Sequence, residues 1–159
     1  MGTKMRATLA AAAVCVAAGA GILAVQAQNA PVTNAGKDAF TAECGACHMP
    51  FQPEFLPARS WQALMGNLSK HFGENAKLDA ATTAAITEYL VSRAADTVNN
   101  RQALQGLSPQ DVPLRITETP SWIREHRRVT AEVVARPEIK SKANCVACHR
   151  RAKLGVYED

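Results

Sequence analysis

The chain has 159 residues, 47% hydrophobic, 20% charged and 5% aromatic, with a formal net charge of +4. That length suits one domain or two very small ones. The high charged content and scarce low-complexity tracts exclude a polytopic membrane protein and a collagen, and the well-mixed charge argues against a wholly disordered chain. No Lys/Arg block is long enough to form a nucleic-acid patch, so no nucleic acid is expected as a partner.

Residues 1–27 have the pattern of a secretory signal peptide. Lys4 and Arg6 form a basic start, residues 7–25 are uncharged and rich in Ala and Val, and Val25-Gln26-Ala27 matches a small-x-Ala cleavage site. An uncleaved anchor is the alternative. The stretch is nearly long enough to span, but its Ala and Gly make it weakly hydrophobic. Cleavage would leave Gln28 first, discard Cys15, and give a periplasmic protein with no stable membrane insertion.

Residues 28–36 read as a mobile mature N-terminus, and 36–43 predict a short helix leading into Cys44-Gly45-Ala46-Cys47-His48. Residues 49–59 hold Pro50, Pro53 and Pro57 and predict a loop. Ser60 is a candidate cap for a helix over 61–71. In it Leu64, Leu68 and His71 fall at i, i+4 and i+7 on an apolar face. Phe72-Gly73-Glu74-Asn75 predicts a turn. Asp79 is a candidate cap for a helix to about residue 95, with Ile86, Tyr89 and Leu90 inward. Residues 97–116, with Gly106, Pro109 and Pro113, read as a linker. Thr119-Pro120 supplies a cap and a first-turn proline for a helix over 120–135, where Trp122, His126 and Val129 share a face. Residues 138–144 lead to Cys145-Val146-Ala147-Cys148-His149 and a ten-residue tail. No strand alternation is present. The expected class is all-α, with two small lobes, 28–100 and 101–159, and long loops.

The four mature cysteines lie in two CxxCH motifs, the pattern for attachment of a c-type haem. The chemistry requires this spacing. Two thiols three residues apart lie on one side of a helical turn and add across the two porphyrin vinyl groups. The next residue then points its imidazole at the iron. Two covalent c-type haems are expected, held by Cys44, Cys47, Cys145 and Cys148. The rivals account for less. A Cys₄ zinc site needs no histidine after each pair, and these pairs are about a hundred residues apart. A thioredoxin-like site needs a βαβ context, and disulfides, normal in an exported protein, leave the histidines unexplained.

The chain has four histidines. His48 and His149 belong to the motifs, so each iron lacks one ligand and His71 and His126 remain. These four are the expected axial ligands. Met49 and Met65 compete for the sixth positions, but Met49 adjoins His48 and Met65 sits at the edge of the apolar stripe. His/Met ligation raises the potential of a cytochrome c, so bis-histidine sites should be low-potential and closed to oxygen or peroxide. Chain order pairs His48 with His71 and His126 with His149; crossed pairing would interlock the lobes. With about 66 residues per haem, neither lobe can build a large side-chain core, and the haems must supply apolar bulk. Residues 28–100 carry five Lys/Arg and seven Asp/Glu, and residues 101–159 eleven and seven. The basic excess, including Arg124, Arg127, Arg128, Arg150, Arg151 and Lys153, suits haem propionates or an acidic partner surface equally.

Several stretches carry a resemblance to a known family: Cys-Gly-Ala-Cys-His-Met-Pro (44–50), Leu-Pro-Ala-Arg-Ser-Trp (56–61), His-Phe-Gly-Glu-Asn-Ala (71–76), Ile-Thr-Glu-Thr-Pro-Ser-Trp (116–122) and Cys-Val-Ala-Cys-His-Arg-Arg-Ala (145–152). From Cys44 onward the chain resembles the dihaem cytochromes c, small bacterial periplasmic electron carriers. Its first half also resembles a class I cytochrome c with histidine where methionine usually sits. The resemblance implies two bis-histidine haems, no enzymatic activity, and redox partners: a small oxygen-binding monohaem cytochrome, often with a membrane cytochrome b upstream. Two other functions stay open. One is a small haem peroxidase or nitrogen-oxide reductase, which needs a five-coordinate iron. The other is a dihaem subunit of a periplasmic reductase such as nitrate reductase, although those subunits place their motifs closer together.

Overall fold

The computed structural model describes Gly2 and residues 34–158. The signal-peptide expectation for residues 1–27, Cys15 included, therefore lies outside the described residues. Among the described residues six α-helices occur in order: α1 Asn34–Gly45, α2 Ala58–Met65, α3 Ala80–Ser92, α4 Arg101–Leu104, α5 Pro120–Glu125 and α6 Ala131–Val134. Five 3₁₀ turns punctuate them, at Pro53–Phe55, Leu68–Lys70, Ile116–Glu118, Cys145–Ala147 and Ala152–Leu154. The class is all-α, as expected: the described residues hold no strand, only an isolated bridge between His71 and Glu74. Among them no helix is long and apolar enough to cross a membrane.

The core forms where α1 and α2 both pack on α3. Phe40 of α1, Trp61 and Met65 of α2, and Ile86 and Leu90 of α3 are buried there with Leu56 and Ala94. α3 begins as its sequence demands: the Asp79 carboxylate accepts from the backbone N–H of Ala81 and Thr82, meeting donors the first turn leaves orphaned. α1 crosses α3 at Gly36, where a Cβ would lie 2.6 Å from the Ala85 carbonyl oxygen. Only glycine permits that approach. Beside the core, the Trp61 indole N–H donates to Pro53 O at 2.8 Å and fastens the 53–55 turn to α2.

Two expected helices are corrected. The helix over 61–71 starts earlier and ends sooner, at Met65. Ser60 is not its cap. Pro57 holds that position without a side-chain bond, and the orphan N–H of Ala58 donates instead to the Asp96 carboxylate at 2.8 Å. That acceptor lies 38 residues away in sequence, beyond any local pattern. Gly66 then ends α2, since glycine is a poor helix former, and Asn67 leaves the helical region with φ −137°. His71 therefore follows a 3₁₀ turn rather than riding an apolar helical face. The expected turn after it is present, with positive φ at Phe72 (52°) and Gly73 (103°).

The helix over 120–135 is likewise two pieces. The Thr119 hydroxyl accepts from Trp122 N–H, and Pro120 opens α5 as expected. The chain leaves the helix at His126, and Thr130, extended at ψ 172°, caps α6 through Val133 N–H. A threonine that bonds forward to the backbone starts a new helix instead of continuing the old one. Val129 therefore does not share a helical face with Trp122 and His126. Residues after 100 return to the first half at several points. Arg59 donates to Ser108 O and Asp111 O, and Gln52 donates to Ala152 O at 3.0 Å and pairs with the Tyr157 hydroxyl.

Candidate haem-binding sites

Each CxxCH motif is a short helical segment, as covalent attachment requires. Cys44 closes α1 with Cys47 in the turn beyond it. Cys145 opens a 3₁₀ turn, and His149 N–H donates to Cys145 O at 2.8 Å. In both pairs the first cysteine is half-buried and the second exposed, and none of the four is joined in a disulfide. Burial pushes the Cys44 thiol up to about 11, with Glu43 adding to it. Burial also raises Cys145.

The fold brings the predicted histidines together in two pairs. The His48 and His71 ring centroids lie 6.2 Å apart; those of His126 and His149 lie 6.1 Å apart. Metal–imidazole bonds of about 2 Å, with roughly 1.1 Å from each nitrogen to its ring centre, would put two imidazoles across one metal roughly 6.2 Å apart. Both pairs match that spacing. His48 Nδ1–H donates to Met49 O at 2.7 Å and His126 Nδ1–H to Trp122 O at 2.9 Å. Such backbone bonds fix the tautomer and leave Nε2 free for a metal. His71 Nδ1 is buried with no hydrogen-bond partner, an unusual state for a polar atom. Burial, then the neighbouring His48 and Arg115, lower the pKa of His71, so the ring is held neutral, as a ligand must be. Among the described residues no three His, Cys, Asp or Glu side chains converge on one point; each site offers a pair of imidazoles beside a pair of cysteines. The donor set thus fits two c-type haems.

Every one of these histidines touches an aromatic ring, and four of the eight aromatic residues of the chain serve this purpose. Phe51 stacks on His48 at 5.0 Å. Phe72 tilts against His71 at 4.8 Å and carries the Arg115 guanidinium 3.9 Å above it. Trp122 stacks on His126 at 4.2 Å, and Tyr157 meets His149 edge-on at 5.5 Å. Burial raises the Tyr157 pKa, with nearby Cys145 adding to it, so its hydroxyl stays protonated beside Gln52. Phe51 and Tyr157 had gone unremarked in the sequence. Phe51 lies three residues from His48 and was within reach of a spacing argument; Tyr157 reaches Gln52 across 105 residues and was not. Met65 lies in the core and Met49 is half-buried beside its motif.

Residues 40–157 match the family model for dihaem cytochrome c. Among solved structures, a dihaem cytochrome c from Rhodobacter sphaeroides is 44% identical, with a TM-score of 0.70, over 75% of this chain and 94% of that one. A dihaem c-type cytochrome from Shewanella baltica OS155 is 38% identical, with a TM-score of 0.63, over 77% of this chain and 88% of that one. No curated protein matches. With both motifs inside the matched region and a histidine pair formed at each, the chain belongs to the dihaem cytochrome c family and carries two covalently bound c-type haems.

Proposed function

We propose that this cytochrome is an exported, periplasmic electron carrier. Its two irons are each bound by two histidines, His48 with His71 and His126 with His149. The observation that carries the reading is the ring separation of 6.2 and 6.1 Å at the two motifs. Haem iron supplies reversible one-electron exchange between its ferric and ferrous states. The protein does the rest: the four cysteines would anchor the rings and the four imidazoles would hold the irons, leaving no place for a substrate, so we read the protein as a carrier and not an enzyme. Imidazole at both positions favours a low potential relative to His/Met. The burial of Met65 among core side chains supports histidine over methionine at the first site. Family resemblance supports a small oxygen-binding monohaem cytochrome as acceptor and a membrane cytochrome b as donor, and the basic second half suits an acidic partner surface.

Carbon monoxide tests this reading. The ferrous protein as isolated is expected not to bind it; binding would reveal an open iron and favour a peroxidase or nitrogen-oxide reductase. His126→Gly should open the second iron alone, turning it high-spin and able to bind carbon monoxide. His71→Gly should do the same at the first. Two low-spin haems persisting in His126→Gly would discard the assignment and point to Met65 or a crossed ligand set.

A further inference from the structure

The two histidine pairs share a spacing but not an orientation. His48 and His71 lie nearly parallel, with 18° between their planes. His126 and His149 lie nearly perpendicular, at 82°. The local contacts show what sets the second angle. Trp122 and His126 are one helical turn apart, and their rings stack at 4.2 Å with only 7° between planes. The same tryptophan accepts the His126 Nδ1 proton on its backbone oxygen at 2.9 Å. The stack holds the rotation of the ring, and the hydrogen bond at Nδ1 leaves Nε2 as the nitrogen that would be free for a metal. On the other side Tyr157 meets the His149 ring edge-on, at 68°.

We propose that Trp122 is a positioning residue that holds the His126 imidazole across that of His149 and so makes the second haem electronically unlike the first. This rests on the ligand assignment proposed above. An imidazole donates π density perpendicular to its own plane. Two parallel rings therefore raise the same iron d orbital and split the dxz and dyz pair widely. Two crossed rings raise one orbital each and leave the pair nearly degenerate. In the low-spin ferric state the unpaired electron occupies this pair. The first haem must then give a rhombic resonance with three resolved features, and the second a single steep low-field feature. Parallel rings stabilise the ferric state more, so freeing the His126 ring to rotate lowers the potential of the second haem.

Electron paramagnetic resonance of the oxidised holoprotein tests this directly. The wild type should show one rhombic and one steep low-field low-spin signal. His126→Gly should delete the steep signal and keep the rhombic one. Trp122→Leu removes the stack but keeps the backbone acceptor. It should shift the steep signal toward a rhombic shape, lower the second potential, leave the first haem unchanged and bind no carbon monoxide. Trp122→Phe keeps a flat ring and should retain most of the steep signal, as should Lys142→Gln, whose ammonium lies 5.7 Å over the indole. Two rhombic low-spin signals in the wild type, or an unchanged spectrum in Trp122→Leu, would overturn the proposal and leave the ligand assignment standing. Carbon monoxide binding by Trp122→Leu would also overturn it, since the tryptophan would then hold the ligand and not its angle. A high-spin signal from the untreated wild type would overturn the ligand assignment itself.

Discussion

Around the first motif, Phe40, Leu56, Trp61, Met65, Ile86 and Leu90 are almost entirely withdrawn from solvent and come from three packed helices. Around the second, the buried residues are Ile139, Ala152, Thr119 and Ser121, set among helices of six residues or fewer and 3₁₀ turns. Both halves nevertheless bring two histidines to the same separation. The first half holds its histidine pair beside side-chain packing, because apolar residues of α1, α2 and α3 meet in one core. The second half has caps, turns and ties to its neighbour: Thr119, Thr130, and the Gln52 contacts with Ala152 and Tyr157. Helices that short are not stable alone, so the haem must contribute most of the apolar burial there.

The largest expected effect would break this asymmetry outright. Cys145→Ser with Cys148→Ser should remove the second haem and cost residues 101–158 most of their amide protection, while α1–α3 stay protected. Cys44→Ser with Cys47→Ser should leave more residual helix. Pyridine haemochrome would give one haem per chain in each case, and hydrogen exchange would locate the loss. Equal loss in both halves would refute the asymmetry.

Next come the buried anchors. Trp61→Ala removes a large core side chain and leaves Pro53 O unpaired; it should cost about 3–5 kcal/mol in urea unfolding of the holoprotein. Ile139→Ala, equally buried but in the sparse half, should cost about 2 kcal/mol, the low end for such truncations, because fewer neighbours lose contact. A larger loss at Ile139 would show that the second half has more core than its burial implies.

A smaller effect is expected at Thr119, whose hydroxyl caps α5 and donates to Ile116 O. Thr119→Ala should cost about 1 kcal/mol, and Thr119→Ser should recover most of it. Because α5 carries Trp122 and leads into His126, the second haem's spectrum should broaden while the first is unaffected.

The smallest is a pH effect confined to the first half. Hydrogen bonds from Thr82 and Ala81 hold the Asp79 carboxyl below its usual range. A depressed carboxylate stabilises the fold above its ordinary value of about 4, and that stabilisation is lost as pH falls through the lowered value. Melting temperature should therefore drop on acidification in the wild type, with a shallower acid slope in Asp79→Asn.

Local signals account for the elements that came out as expected. Asp79 before an apolar-periodic run, Thr119-Pro120, and Phe72-Gly73 each complete their bonding within four residues, so neighbours in sequence contain the needed information. The two helices that end sooner than expected have their expected length from periodicity, beyond the start signals at Ser60 and Thr119-Pro120. Leu64, Leu68 and His71 keep helical spacing on paper, yet Gly66 and Asn67 interrupt the hydrogen-bond ladder between them. Trp122, His126 and Val129 do the same, although the chain leaves the helix at His126. Apolar periodicity describes which side chains would face inward if the helix continued; it does not test whether the backbone continues. His71 and His126 meet their partner rings even so, His71 from the end of the Leu68–Lys70 3₁₀ turn and His126 from the end of α5.

What the sequence determined by itself was the covalent chemistry. Two CxxCH motifs and four histidines name the prosthetic groups and their candidate ligands, because thioether spacing and the count of nitrogen donors are properties of the chain. Tertiary structure decided which ring faces which, and at what angle. The 18° and 82° between planes depend on contacts such as Trp122 against His126 and Tyr157 against His149. Ring orientation is a rotation about a bond, set by whatever packs on either face, and for His149 that neighbour arrives only when the tail folds back onto Gln52.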